Sequence, residues 1–287
     1  MNEEGVGQVG GAADAGERIE ASALYAMVLE AAPGTPRFLM AGNLLRGARL
    51  FLMQTELTPA LESFGEIVSH AQELQNYFGD EEELSGLSFL IIRFRADVEV
   101  AVEALLAGRH GVLANTMRDV MEIELLLRDF ALEKRRVEKW LTAGEGLRIG
   151  YFSPGQVRAR LAAARYPEHR VDLPDSQEYA FHSKSLHATP NSPSDLDNVL
   201  DLQTDPGTLL FFSYEIVEHA RRFFSAVYDL MRALGHHRPD LIDKEIPASL
   251  EIWERALTLI AEWTDELPPG VFPPREPTQR PDRRRQG

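Results

Sequence analysis

Apolar residues recur along most of this chain at alternating spacings of three and four, which is the period of one helix face. The clearest such run is formed by Leu84, Leu87, Ile91, Phe94, Val98, Ala101 and Leu105. A seam of this kind predicts a helix that packs against an antiparallel neighbour with interlocking side chains. The segment from Gly108 to Trp140 has the same period and follows directly, so the two predict a long helical hairpin at the centre of the domain.

Further segments with helical period run from Phe38 to Gln54, from Thr58 to Gly79, from Asp205 to Leu234 and from Ala248 to Leu267. Thr58-Pro59 and Asp205-Pro206 are each typical of a helix cap followed by a first-turn proline. A compact helix is also predicted between Asp175 and His187, followed by a polar loop over residues 188–205. Because no apolar run has the period of a strand, the chain is predicted to be an all-α, multi-helix bundle.

The two ends of the chain differ from this middle part. Residues 1–19 are rich in Gly, Ala and acidic residues without any period, and residues 268–287 are rich in Pro and Arg. Both compositions are typical of disordered tails, because they offer too little apolar surface to bury. Residues 20–267 are therefore predicted to form a single helical domain.

Charge and cysteine content exclude several classes of function. The formal net charge is −15, and a body this acidic repels phosphate backbones, which excludes a broad DNA-binding surface but leaves RNA open as a local substrate. The chain has no cysteine, which excludes disulfides, thiolate catalysis and cysteine-based zinc sites. The acidic N-terminus is unlike a signal peptide, and no uncharged apolar run reaches the roughly 18 residues of a membrane span. We therefore expect a cytoplasmic protein.

The first candidate site is an Arg-Glu pair on the Gly108–Trp140 helix. On a helical wheel the apolar residues share one broad face, and Arg118, Glu122 and Asp129 fall nearly opposite. One interpretation is a solvated face with an ordinary ion pair. However, large apolar residues flank these charges and Glu124 lies at the edge of the apolar stripe, so Arg118 and Glu122 are expected to be partly buried. The sequence is compatible with both interpretations of Arg118 and Glu122, a structural salt bridge and a functional pair.

The second candidate site lies in the predicted helix between Asp175 and His187. Tyr179, Ser183 and His187 share one face of it, and Ser183 and His187 are one turn apart. A Ser-His pair is compatible with nucleophilic catalysis, but no Gly-x-Ser-x-Gly turn or oxyanion hole accompanies it. The alternative is a helix end at which His187 caps terminal carbonyl groups.

Metal and cofactor sites are not expected. No histidine has a glutamate three residues before it, as a di-metal bundle requires, and the chain has no zinc-protease, calcium-loop, phosphate-loop or dinucleotide motif. His219 lies in the apolar seam between Ile216 and Phe223, where it is predicted to be a core histidine.

The sequence resembles a group of bacterial all-helical proteins related distantly to the HEPN superfamily. The resemblance covers about residues 85–235 and is carried by Arg118 and Glu122 on a central helix, followed by Tyr179, Ser183 and His187 ahead of a long helix. It implies a helical bundle, often a homodimer, and for many members a metal-independent ribonuclease in a defence or toxin–antitoxin system. The family's Arg-x(4–6)-His motif occurs here only as Arg232 with His237, at a helix end.

Two classes of function follow. In the first, Arg118, Glu122, Ser183 and His187 form a catalytic pocket in which His187 is the general base, Arg118 stabilises phosphate charge and Glu122 orients Arg118. In the second, the protein is a non-catalytic interaction module. Its charges are then structural, and its acidic surface or Pro/Arg-rich tail binds a protein partner.

Overall fold

The structure, a computed structural model of the chain, describes residue 30 and residues 37–164 and 206–242. This described part is helical and includes no strand, which confirms the predicted all-α class. The helices are α1 (Arg37–Glu56), α2 (Thr58–Asp80), α3 (Glu82–Ser85), α4 (Ser88–Ala107), α5 (His110–Leu132), α6 (Arg135–Leu141), α7 (Glu145–Tyr151), α8 (Pro154–Ala163), α9 (Pro206–Leu234) and α10 (Pro239–Ile242). The predicted tails, the helix between Asp175 and His187, the loop 188–205 and the helix from Ala248 lie outside the described residues.

Helix α5 occupies the centre of the bundle, between α4 and α9. The hairpin of α4 and α5 has the predicted antiparallel arrangement, and the Leu84–Leu105 seam is buried along its whole length. Helix α9 runs parallel to α5, because the Phe212 ring stacks on His110 near both helix starts and Asp229 contacts Arg128 near both ends. Helix α2 covers the other side of α4, and Phe94 of α4 stacks on Phe223 of α9 with ring centroids 3.6 Å apart.

The turn of the hairpin depends on Gly108. Its φ of 68° is in the left-handed region, and the amide of Arg109 donates to the carbonyl of Ala104 at 2.8 Å, which closes the end of α4. The Arg49 guanidinium lies over this turn and donates from Nη1 to the carbonyl of Leu106 at 2.7 Å. The left-handed backbone angle favours glycine at position 108, and a Cβ atom there would lie 2.5 Å from Arg49 Nη2 and displace the guanidinium from the turn.

Helix α5 ends earlier than its apolar pattern predicts. It stops at Leu132, Glu133 is extended with φ −150° and ψ 95°, and the chain begins again as α6. The break turns Arg136 back toward the preceding helix, where its Nη1 donates to both the backbone carbonyl and the carboxylate of Asp129. The single helix predicted from Gly108 to Trp140 is therefore wrong beyond Leu132.

The predicted cap at Thr58 is also wrong. Leu57 occupies the cap position, and Thr58 belongs to the first turn of α2, where its hydroxyl donates back to the carbonyl of Gln54 at 2.9 Å. Among the described helices, none is long and apolar enough to cross a membrane.

Candidate functional site

Arg118 and Glu122 form the predicted ion pair on α5. Arg118 Nη2 lies 3.1 Å from Glu122 Oε1, and the side chains are 24% and 33% exposed. The pair is therefore half-buried, and solvent or a ligand still reaches it. Ser183 and His187 lie outside the described residues, so the structure brings together the first two of the four candidate residues and describes no contact of the other two.

The helix face that carries this pair is covered further along by α8. Leu125, which is on the same face as Arg118 and Glu122, packs against Val157 and Leu161 of α8. The described chain stops at Ala164, three residues after Leu161. Ser183 and His187 follow α8 in the sequence and lie outside the described residues.

A second charged group borders the pair where α4 meets α5. Arg93 of α4 donates from Nη2 to Asp119 Oδ2 at 2.7 Å, and its Nε lies 3.9 Å from Asp97 Oδ2. The hydrogen bond to Asp119 raises the pKa of Arg93 most, and the charges of Asp97 and Glu122 also raise it. Arg93 therefore links the Arg118–Glu122 pair electrostatically to two more carboxylates.

The Asp97 carboxyl has an unusually high pKa of about 6. Burial is the main cause, the charge of Asp119 adds to it, and Arg93 opposes both. Asp97 consequently changes its charge between about pH 5 and pH 7, close to physiological pH, at the edge of the candidate site.

This titration predicts a pH-dependent stability. The pKa of Asp97 is raised from 3.8 to about 6 on folding, so the folded protein holds this proton more tightly and its stability falls as pH rises from about 4 to about 6. Asp97→Asn is expected to remove that dependence and to raise the free energy of unfolding at pH 7.5 by up to about 3 kcal/mol. Urea unfolding of the variant and the wild type at pH 4.5 and 7.5 measures the difference. Asp80→Asn, at an exposed position, is the control, and an equal effect of both variants at pH 7.5 would contradict the prediction.

The first of two buried charge networks on α5 involves residues other than the predicted pair. Glu124 and Arg128 are 1% and 4% exposed, and Arg128 Nε donates to Glu124 Oε1 at 3.1 Å. Two residues of α9 complete the network, since Arg222 Nε lies 3.3 Å from Glu124 Oε2 and Asp229 Oδ2 lies 3.3 Å from Arg128 Nη1. Two cations and two anions balance each other between the two central helices.

Asp129 forms the second buried network, although the helical wheel places it with Arg118 and Glu122, opposite the broad apolar face of α5. The carboxylate is 0% exposed and receives two bonds from Arg160 of α8, from Nε at 3.0 Å and from Nη2 at 2.5 Å. Arg136 Nη1 donates to the same carboxylate at 2.5 Å. Arg160 also donates to the carbonyl of Tyr151 at 2.7 Å and lies 4.2 Å from the centre of that ring. Asp129 therefore holds the break after α5 against α8.

The sequence gives a partial signal for one of these networks. Glu124 stands at the edge of the apolar stripe, which indicates a buried carboxylate in need of a cation. Asp129 has no comparable signal, because the helical wheel of α5 does not show that α8 packs on that face. Arg222 and Arg160 reach these carboxylates from segments 98 and 31 positions away.

Four of the five histidines in the described part are packed into the core or bonded to neighbouring side chains, and His237 is exposed. His219 is 1% exposed, which confirms its predicted burial, and its Nε2 lies 3.7 Å from Glu215 Oε2. His70 is also buried, and it hydrogen-bonds with the hydroxyl of Tyr228. His236 Nδ1 hydrogen-bonds with the hydroxyl of Tyr77 at 2.9 Å. Over residues 37–164 and 206–242, no three His, Asp or Glu side chains converge as metal ligands would.

Arg232 and His237, the one match to the Arg-x(4–6)-His motif, lie at the end of α9. Arg232 Nη1 is 3.4 Å from Asp229 Oδ1, and its side chain is 54% exposed. The preceding residue, His236, is the one that bonds to Tyr77. Arg232 is thus part of the outer edge of the Glu124–Arg128 network.

A scan against protein-family models found no match to this chain, and searches of curated proteins and of solved structures found none either. The geometry of the described residues therefore carries the functional argument.

Proposed function

We propose that the protein is a HEPN-like helical protein that cleaves RNA without a metal ion, at a site formed by Arg118, Glu122, Ser183 and His187. In this proposal it acts in the cytoplasm as part of a defence or toxin–antitoxin system. The observation that carries the proposal is the Arg118 guanidinium, which is held by Glu122 at 3.1 Å and remains 24% exposed. A cation that is oriented by a carboxylate and still accessible can bind a phosphate group.

The chemistry assigned to these residues is an attack within the RNA chain. His187 accepts the proton of a ribose 2′-hydroxyl, and O2′ then bonds to the adjacent phosphorus while the bond to the 5′ oxygen breaks. The leaving oxygen takes a proton from solvent, and the products are a 2′,3′-cyclic phosphate and a 5′-hydroxyl end. Arg118 stabilises the negative charge that develops on the phosphate oxygens, Glu122 keeps Arg118 in place, and Ser183 contributes a hydroxyl to the same pocket.

The position of α8 supports this assignment. Leu161 of α8 packs against Leu125 on the face of α5 that also carries Arg118 and Glu122, and the chain continues from α8 toward Ser183 and His187. This contact supports the proposal, because the helix that precedes Ser183 and His187 in the sequence packs on the same face of α5, at Leu125.

Cleavage of a labelled single-stranded RNA in the presence of EDTA tests the proposal. Arg118→Ala and His187→Ala are each expected to reduce the cleavage rate by at least about 100-fold, because each removes a group that acts in the transition state. Arg221→Ala is the matched control, since Arg221 also pairs with a nearby glutamate of its own helix, Glu218 at 2.7 Å, but lies on α9 and is 60% exposed. Equal cleavage by the wild type and both site variants, or no cleavage by any of them, would overturn the proposal.

The second candidate is a non-catalytic helical module that binds a protein partner. It is favoured by the internal compensation of the buried charges, because Glu124 and Asp129 are both bonded to arginines inside the bundle. Charges neutralised in this way contribute to packing and offer no group to a substrate. A folded wild-type protein that leaves RNA intact would support this candidate.

A further inference from the structure

The outer face of α4 exposes a row of apolar side chains, although its inner face carries the core seam. Phe89, Ile92 and Val100 are 44%, 42% and 48% exposed, and Ala96 lies between them. Scattered apolar residues on a surface are ordinary, but these follow one another along a single helix face.

This outer face has the spacing of a second helix-packing seam. The positions in its line are 89, 93, 96, 100, 103 and 107, occupied by Phe, Arg, Ala, Val, Glu and Ala. Their spacings alternate between four and three, which is the repeat of helices that pack side by side. Helix α4 therefore has two packing seams, one in the core and one facing outward.

The two ends of the outward seam differ in shape. Phe89 and Ile92 lie at the N-terminal end, where one face of the Phe89 ring stacks on Trp140 of the same chain with ring centroids 5.3 Å apart and the rest of the ring remains exposed. The C-terminal end forms a groove of about 520 Å³, lined mainly by Ala96, Val100, Ala104, Ala107 and Val112. The N-terminal half of the face therefore carries large side chains, and the C-terminal half carries a groove that can accommodate them.

The two ends also differ in charge. Arg93 stands toward the N-terminal end and is 55% exposed, and Glu103 stands toward the C-terminal end and is 60% exposed. Each already has a partner within the chain, because Arg93 binds Asp119 and Glu103 binds Arg46, both at 2.7 Å. Both exposed side chains can still accept a second partner.

We propose that this face is a homodimer interface, in which α4 packs antiparallel against α4 of a second copy about a two-fold axis that passes midway between Ala96 and Val100. In this arrangement, residue 89 of one copy contacts residue 107 of the other copy, residue 93 contacts residue 103, and residue 96 contacts residue 100. Phe89 then enters the groove beside Ala107 of the other copy, and Ala96 lets Val100 approach closely. Arg93 meets Glu103, which joins Arg46, Glu103, Arg93 and Asp119 in a chain of alternating charge.

The residues of the outward seam are complementary to the residues of an identical seam that runs in the opposite direction. This identifies a second copy of the chain as the partner that covers the face. A two-fold interface uses the same patch on both chains, so each position must be complementary to its symmetry mate. Phe with Ala, Arg with Glu and Ala with Val meet this condition at every position of the seam. A different protein would require no such internal match. The inference does not depend on RNA cleavage.

Sedimentation of the full chain between about 1 and 100 µM, a range that covers micromolar dissociation constants, tests the interface. The wild type is expected to be a dimer in this range. Val100→Glu places a charge at the centre of the seam and is expected to weaken the dimer by at least about 100-fold. Ile149→Glu is the control, because Ile149 is an even more exposed apolar residue, at 66%, on α7. A wild type that stays monomeric, as it would if another partner covered this face, or a Val100→Glu variant that dimerises like the wild type would overturn the proposal.

A mixing experiment tests the antiparallel register. R93E and E103R each place like charges opposite each other in their own dimers, so each variant alone is expected to be mainly monomeric. When the two variants are mixed, both cross-copy pairs become opposite in charge, and a heterodimer is expected to form. Native mass spectrometry counts the mixed species, and circular dichroism checks that each variant is folded. If mixing produces no heterodimer, the register is wrong.

Discussion

Replacing Asp129 with alanine is expected to lower the free energy of unfolding by about 3–5 kcal/mol, the usual cost of breaking a buried ion pair from one side. The carboxylate is 0% exposed and holds Arg136 and Arg160 together at 2.5 Å each. Without it, two guanidinium groups would face each other with no anion between them. Both would have to move toward solvent, and α8 would lose its main polar attachment to α5. Urea unfolding at pH 7 measures the loss.

Glu133→Ala is the control for Asp129→Ala. Glu133 also binds Arg136, at 2.7 Å, but its side chain is 51% exposed. Its removal is expected to cost less than about 1 kcal/mol, as for other surface ion pairs. If Asp129→Ala cost no more than Glu133→Ala, the Asp129 network would be a solvated cluster that does not hold α8 in place.

The second large effect is expected at the Glu124–Arg128 pair. Arg128→Met should lower the free energy of unfolding by about 3 kcal/mol, because it leaves the Glu124 carboxylate, 1% exposed, with fewer cations around it. The double variant Glu124→Leu with Arg128→Met should recover most of that loss, since apolar side chains of similar size fill the same space without a desolvation cost. Arg222 and Asp229, which are 15% and 30% exposed, can then turn toward solvent.

A double-mutant cycle separates this coupling from the effects of the single changes. The matched control is the same cycle on Glu218 and Arg221 of α9, which are 16% and 60% exposed, and the coupling should be below about 1 kcal/mol because solvent reaches the guanidinium. A double variant of Glu124 and Arg128 that is less stable than either single variant would contradict the prediction. It would mean that this network stabilises the fold more than apolar packing can.

The hairpin of α4 and α5 was predictable from sequence because its signal is local and repeated. The Leu84–Leu105 seam has a single period over its whole length, and any neighbour has to cover it. The end of α5 was not predictable, because the apolar period continues past Leu132. The break forms because Arg136 reaches back to Asp129, and this contact depends on three-dimensional packing.

Of the candidate site, the contact between Arg118 and Glu122 was predictable, and Ser183 and His187 lie outside the described residues. Arg118 and Glu122 meet because residues four apart on a helix are neighbours. The high pKa of Asp97 was not predictable, because it depends mainly on the burial of Asp97 and to a lesser extent on the charge of Asp119, and both follow from the packing of α4 on its neighbours. Glu124 likewise has no local clue to its partner Arg222, 98 positions further along the chain.

The contacts between α5 and α9 have a mechanical consequence. Apolar side chains allow two helices to slide past each other, since one contact replaces another. The ion pairs Glu124–Arg222 and Arg128–Asp229 oppose such sliding, because a shift of one helical turn, about 5.4 Å, would separate both pairs at once between the packed helices. Both pairs therefore oppose a slide of α9 along α5, and we expect these two helices to move together.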